Sequence, residues 1–288
     1  MRAKLRARIL DVTPAAYHRD PCKVPSLSQS IAHTLVEHSP LHAYTRHPRL
    51  GAQPAESSAA MDAGTLIHKL ILGCGKDIAV LPFDEYRTNE AKAARDEAIA
   101  AGKLPVKERA FVEATTAANT LSARCRELGF PFTGRSELAI EWRERGTSDG
   151  EPVVCRAMLD HVLLDRGVIY DLKKAANASP KNCEKTFVDR GYDIQYAAYT
   201  RALAALRPEF EGRIEFTFLF LELEPPYSVV PARPDGGFRT IGHLRWERAV
   251  LRWQECLATG KWPGYCVEPV TLYAPPWVLA AEEQGAYS

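Results

Sequence analysis

The stretch MLDHVLLDRGVIYDLKKA, residues 158–175, decides the fold because its two apolar strands carry charged side chains. The strands meet at a turn around residues 165–167; the first strand carries Asp160, and the second carries Asp171 and Lys173 two residues apart. Side chains alternate between the two faces of a strand, so Asp171 and Lys173 share one face. Burying charge in the middle of a sheet is costly, and these three residues therefore need a chemical explanation.

Pairing the two strands predicts that the charges converge. A hairpin with a two-residue loop at 166–167 places Asp160 opposite Lys173 and Asp171 opposite Val162, within reach of one another. A four-residue loop preserves this pairing. A three-residue loop moves Asp160 out of phase unless a bulge corrects it.

Two explanations fit two carboxylates and an ammonium on one patch. The first is an internal ion pair, since buried charges are usually paired. The second is a divalent metal held by oxygen ligands, with the lysine next to the reacting water. Mg²⁺ prefers one or two carboxylates together with waters and substrate phosphates, and a cation would offset the repulsion between the acids.

Composition limits the class of protein only loosely. Of the 288 residues, 46% are hydrophobic and 25% charged, and the net charge is +1, so any surface for a polyanion must be local. No apolar run reaches the roughly 20 residues of a membrane helix, and the N-terminus lacks a signal-peptide core. We therefore expect a cytoplasmic protein. The seven cysteines are scattered without a CxxC pair, which predicts reduced thiols and no zinc or iron–sulfur cluster.

The patterns around the hairpin predict a mixed α/β domain with helical additions in front. Within residues 25–48 we expect two short helices, the first capped by Ser28 or Ser30 and the second by Ser39 before Pro40. The other expected elements are helices at 63–72, within 89–128, at 191–206 and at 243–260, strands at 136–144, 153–165, 168–175 and 213–226, and an irregular tail.

The charged patch and its surroundings resemble the PD-(D/E)xK nucleases. Asp160, ten intervening residues and then Asp171-x-Lys173 resemble the family signature. GTLIHKL at 64–70 resembles the helical histidine motif of RecB-like nucleases, and QYAAY at 195–199 resembles their Q-x-x-x-Y helix.

Residues 17–44 resemble the opening of the RecE, or exonuclease VIII, nuclease domain, and the motifs together span 17–199 in the family's order. The resemblance implies a restriction-endonuclease-like core, a central mixed β-sheet flanked by helices, with N-terminal helical additions. It also implies one nuclease domain over 1–288, with a mainly helical part at 1–130 carrying the histidine motif, a sheet core at 131–260 and an irregular tail at 261–288.

The activity implied by the resemblance is a Mg²⁺-dependent, ATP-independent exonuclease that degrades one strand of linear double-stranded DNA from its 5′ end, with Mn²⁺ able to substitute. In that family the 3′ overhang passes to a RecT-like single-strand annealing protein, typically in phages and prophages, and the nucleases form ring-shaped homo-oligomers. Two alternatives stay open. One is a non-catalytic DNA-binding scaffold with this fold, and the other is an endonuclease with the same core.

Site roles follow from the resemblance residue by residue. His68, Asp160, Asp171 and the backbone carbonyl of Leu172 would be metal ligands. Lys173 would orient or activate the attacking water and stabilise negative charge at the phosphorus.

Glu137 matches an acidic position of several relatives and would bind a second metal or a water. Gln195 and Tyr199 lie one helical turn apart and would hold the lysine, the water or the scissile phosphate. His161, next to Asp160, is expected on the opposite face by strand parity. Arg156 shares the parity of Asp160 and is expected near the patch or in a structural ion pair.

Two positions depart from the family pattern. Leu159 stands where the family often has proline, a residue that shapes the chain without carrying chemistry. Asp171 stands where many nucleases have glutamate. Because the aspartate side chain is shorter, a bound metal would lie closer to the strand.

Overall fold

The computed structural model describes residues 7–53, 63–75, 77–147, 150–266 and 268–283. The strands within these ranges are β1 (Arg8–Leu10), β2 (Ile78–Leu81), β3 (Leu104–Lys107), β4 (Arg135–Glu144), β5 (Val153–Leu163), β6 (Val168–Ala175), β7 (Glu215–Glu222) and β8 (Val229–Ala232). The helices are α1 (Pro14–His18), α2 (Gln29–Glu37), α3 (Pro40–Arg46), α4 (Ala63–Leu72), α5 (Asn89–Ala100), α6 (Glu108–Glu127), α7 (Pro180–Asp189), α8 (Tyr192–Leu206), α9 (Gly236–Thr259) and α10 (Pro276–Glu283). None of the helices described here is long and apolar enough to cross a membrane.

A central mixed sheet organises the domain, as predicted. Its six strands follow the order β1, β4, β5, β6, β7, β8, and only β6 and β7 run parallel. Helices cover it on two sides. One core packs against α2, α8 and α9 and contains Trp142, Trp246 and Trp253, whereas a second core packs against α4 and α6 and contains Leu121 and Leu219.

Local sequence signals fix several element bounds. Ser28 and Ser39 cap α2 and α3 as predicted, and β6 has the predicted bounds. The predicted helix at 243–260 was too short, because Asp235 accepts a hydrogen bond from the Phe238 amide at 2.8 Å and starts α9 at Gly236. The strand predicted at 213–226 spans only β7, and the tail predicted to be irregular contains α10.

The β5–β6 hairpin differs from the predicted register by two positions. Its ladder comprises the pairs His161–Tyr170, Val162–Ile169 and Leu163–Val168, so the loop is four residues long, at 164–167. Gly167 closes this loop with φ +67, where a Cβ would come within 2.6 Å of the Phe210 ring. Extending the ladder places Asp160 opposite Asp171, not opposite Lys173. Because the shift is even, the charged side chains keep a common face.

Beyond this ladder β5 and β6 diverge. Leu27 takes over the same edge of β5, since its amide donates to Val154 O and its carbonyl accepts from the Arg156 amide, both at 2.9 Å. Along this edge of β5, Leu27 pairs with residues 154–156 and β6 pairs with residues 161–163. We call the gap between these two partners, at residue 160, the fork, and the candidate site lies there.

Candidate active site

Asp160 stands at the point of the fork and binds two partners through one oxygen. Its Oδ2 accepts from the backbone amide of Leu172 at 2.9 Å and lies 3.2 Å from Nε2 of His68 on α4. The first bond satisfies a strand amide where the β5–β6 ladder has ended. The N–H and C=O of one strand residue point to the same side, so the Leu172 carbonyl is also directed toward the fork.

The ion pair between His68 and Asp160 shifts both groups toward their charged forms. Burial opposes the charged imidazole, but the hydrogen bond to Asp160 and the charges of Asp160 and Asp171 outweigh it and raise the pKa of His68. Burial likewise opposes ionisation of Asp160, yet His68 and Lys173 lower its pKa. The site therefore favours a carboxylate at position 160.

Asp171 is fully buried and is held by a clamp of two side chains. Its Oδ1 lies 2.5 Å from the ammonium of Lys173, and its Oδ2 accepts from Nε2 of Gln195 at 2.6 Å. The Oε1 atom of Gln195 accepts from Lys173 at 2.8 Å and closes the clamp. Burial and the charge of Asp160 raise the pKa of Asp171 against the effect of Lys173, while Asp171 and Asp160 raise the pKa of Lys173 against burial. Lys173 therefore remains an ammonium.

Tyr192 is a site residue that the sequence analysis missed. The Lys173 ammonium lies 4.3 Å from the centre of the Tyr192 ring, a cation–π distance. Tyr192 precedes Gln195 by three residues on α8, so the helical spacing that joins Gln195 to Tyr199 could have indicated it too. Gly191 permits this entry into α8, because its φ is +62 and a Cβ there would come within 2.2 Å of the His33 ring.

Glu137 and Tyr199 lie around the same centre. On β4 the pairs on either side are Ser136–His161 and Leu138–Leu159, which puts Glu137 across from Asp160. Glu137 has φ +49, a strained value for a non-glycine residue. Burial raises its pKa and Asp160 adds to this rise, whereas His68 opposes it. Tyr199 is buried and lines the same cavity of about 510 Å³ as His68, Asp160, Lys173 and Gln195.

The family described as PDDEXK-like domain of unknown function (DUF3799) matches residues 30–270, which include every site residue named above. The chain belongs to this family. It therefore has a nuclease-like PDDEXK domain, a type that generally uses divalent metal ions. No curated protein matches the chain.

Two solved structures are similar to this PDDEXK-like chain. A "Putative exonuclease" from Eubacterium rectale matches over 94% of this chain and 99% of its own, with 14% identity and a TM-score of 0.57, which shows a shared fold. A phage related exonuclease from Haemophilus somnus matches over 68% of this chain and 95% of its own, with 14% identity. Its TM-score of 0.29 is too low to support a structural argument.

The donor atoms of the PDDEXK-like site are of the chemical types that bind divalent cations. Two carboxylates, one imidazole and a strand carbonyl are oxygen and nitrogen donors that such ions accept. Asp171 Oδ1 is buried without an aligned hydrogen-bond donor and contacts only the Lys173 ammonium among its described partners. Within the described residues no three His, Cys, Asp or Glu side chains are arranged to hold a metal. His68 pairs with Asp160, and Lys173 pairs with Asp171. A bound cation would take over this charge compensation.

Two neighbouring residues have structural partners. His161 is buried, lies 3.0 Å from Ser136 Oγ through Nδ1 and accepts from the Gly134 amide at 2.9 Å. Arg156 lines the cavity, and it pairs with buried Asp20 at 3.3 Å and donates to the Ser26 carbonyl at 2.8 Å. Arg156 therefore satisfies both expectations, a place near the patch and a structural ion pair.

Proposed function

We propose that this chain is a Mg²⁺-dependent, ATP-independent exonuclease of the RecE-like type that degrades one strand of linear double-stranded DNA from its 5′ end. The single observation that supports it best is the fork at Asp160. There the half-buried Asp160, a histidine and an ammonium held by Gln195 line one cavity, and the fully buried Asp171 contacts that ammonium. An internal ion pair alone would not need a second carboxylate beside it.

In this proposal the acids and His68 hold the cation. Asp160, Asp171, His68 and the Leu172 carbonyl would be its ligands, with Mn²⁺ able to replace Mg²⁺ because both prefer oxygen donors. A divalent cation bound there supplies charge neutralisation for the phosphate and a more acidic water.

The remaining residues position the substrate and stabilise charge. Lys173 stays protonated between Asp171 and Gln195, so its ammonium is ready to stabilise the negative charge that develops at the phosphorus. Gln195 and Tyr192 fix the direction of that ammonium, and Tyr199 closes the inner wall of the cavity. Glu137 would bind a second metal or orient a water from across the fork.

The polarity, the partner and the assembly rest on the RecE-like motifs. We propose that the product is a 3′ overhang that a RecT-like annealing protein receives during phage or prophage recombination. We also propose one nuclease domain over residues 1–288 and a ring-shaped homo-oligomer around the DNA.

The test is digestion of linear duplex DNA labelled at either the 5′ or the 3′ end, with Mg²⁺ and without ATP. The proposal expects end-dependent release of 5′ nucleotides by the wild type and loss of release in Asp171→Ala and Lys173→Ala. Asp165→Ala, at the exposed turn of the same hairpin, is the matched control and should retain activity. Cleavage of closed circular DNA would instead indicate an endonuclease. DNA binding without cleavage would indicate a scaffold.

A further inference from the structure

The C-terminal arm, residues 268–283, exposes its large apolar side chains to solvent. The exposed fractions are 88% for Leu272, 85% for Tyr273 and 67% for Trp277, and Val270 and Leu279 are also exposed. Several large apolar side chains exposed along one short segment indicate an interaction surface. Most of the arm lies beyond residue 270, where the match to the PDDEXK-like family ends.

The body of the protein holds the chain just before the arm. The Tyr265 hydroxyl lies 3.0 Å from His38 Nδ1, and the Pro263 carbonyl accepts from the Leu41 amide at 3.0 Å. The arm therefore leaves the domain from a fixed point beside α2 and α3.

The α9 groove is an open apolar cleft of about 990 Å³ between the last turns of α9 and the adjoining ends of β4 and β5. Leu251, Leu257 and Val24 line it, and each of these side chains is exposed. No arm residue is among its described lining. In the part of the chain that the structure describes, nothing covers either the arm or the groove.

The charges of the two surfaces are complementary. The groove is lined by three arginines and two glutamates, namely Arg143, Arg248, Arg252, Glu151 and Glu255. The arm contains glutamates at 268, 282 and 283 and has no lysine or arginine. The groove therefore suits a segment whose apolar side chains are flanked by acidic residues. The arm is such a segment.

We infer that the C-terminal arm of one chain binds in the α9 groove of a second copy. The contact joins two different surfaces of the chain. Two chains can therefore exchange arms and form a closed dimer, or each chain can bind the next and form a closed ring. This inference does not depend on the proposed nuclease activity.

The test is the mass of the full-length chain in solution, measured by light scattering after size exclusion at micromolar concentration. The wild type should form a dimer or larger closed assembly. Trp277→Asp in the arm and Leu251→Asp in the groove should each give monomers. Val112→Asp, at an equally exposed apolar position on α6, should assemble like the wild type.

Mixing the two defective variants separates this contact from other interfaces. The arm variant retains an intact groove and the groove variant an intact arm, so a 1:1 mixture should form a heterodimer. A monomeric wild type would overturn the inference, and so would either variant that assembles normally or a mixture that stays monomeric. Circular dichroism of each variant excludes loss of fold as the cause.

Discussion

Replacing Gln195 with alanine removes the amide that joins Lys173 to Asp171. That amide donates to Asp171 at 2.6 Å and accepts from Lys173 at 2.8 Å. A hydrogen bond to a charged group contributes about 1.5–3 kcal/mol. Asp171 is fully buried and loses a donor, whereas Lys173 keeps its contact with Asp171. We therefore expect the free energy of unfolding to fall by about 2–3 kcal/mol.

The same change should slow DNA cleavage, because the ammonium of Lys173 loses the acceptor that fixes its direction. One lost bond of this strength corresponds to a rate roughly 10- to 150-fold lower. The assay is the initial rate on end-labelled linear DNA at saturating Mg²⁺, with urea unfolding of the same preparations.

Gln254→Ala is the matched control. Gln254 is also buried, and its amide accepts from the Thr147 amide at 2.9 Å and donates to the Glu151 carbonyl at 2.8 Å. It should lose stability while its rate stays within about twofold of wild type once the folded fraction is corrected. Equal rates for the two alanine variants would refute the role of Gln195 in holding Lys173.

Three further changes test other parts of the structure. Tyr192→Leu should slow cleavage by about 3- to 30-fold by removing the cation–π contact with Lys173, whereas Tyr192→Phe should stay near wild type in the same rate assay. Asp20→Asn should lower the free energy of unfolding by about 3–5 kcal/mol in urea, because buried Arg156 loses its counter-charge; a loss below about 1 kcal/mol would contradict this. Burial lowers the pKa of His161 to about 4. At this position the unfolded chain therefore binds an extra proton between about pH 4 and 6.5, and the contribution of His161 to stability should rise with pH across this window and level off above it. Urea titrations should show a less positive slope of stability against pH in His161→Gln than in the wild type, and equal slopes would contradict the role of His161.

The fold could be predicted where the sequence carries strong local signals. The apolar run of β6 and the serine caps of α2 and α3 are local signals, and the structure keeps them. The short strands β1, β2, β3 and β8 have at most four residues each, too few to show alternation. Helix α7 was also missed, because it lies in a polar stretch and buries only Cys183 and Phe187.

The sequence predicted which charged side chains share a face of the hairpin, but not their pairing. Spacing placed Asp160, Asp171 and Lys173 on one face, but the exact partners depended on the loop, where Gly167 allows four residues to turn. Helical spacing could have indicated Tyr192, but its contact with Lys173 depends on tertiary packing, in which its ring stacks on Phe218 of β7. Long-range contacts of this kind have no local sequence signal.

The central claim is that Asp160 and Asp171 together hold one divalent cation. The most direct measurement is calorimetric titration of the full-length protein with Mg²⁺ and Mn²⁺, in the wild type and in Asp160→Asn and Asp171→Asn. The account predicts binding to the wild type that weakens by more than about tenfold in both folded variants. Wild-type affinity in either variant would contradict it.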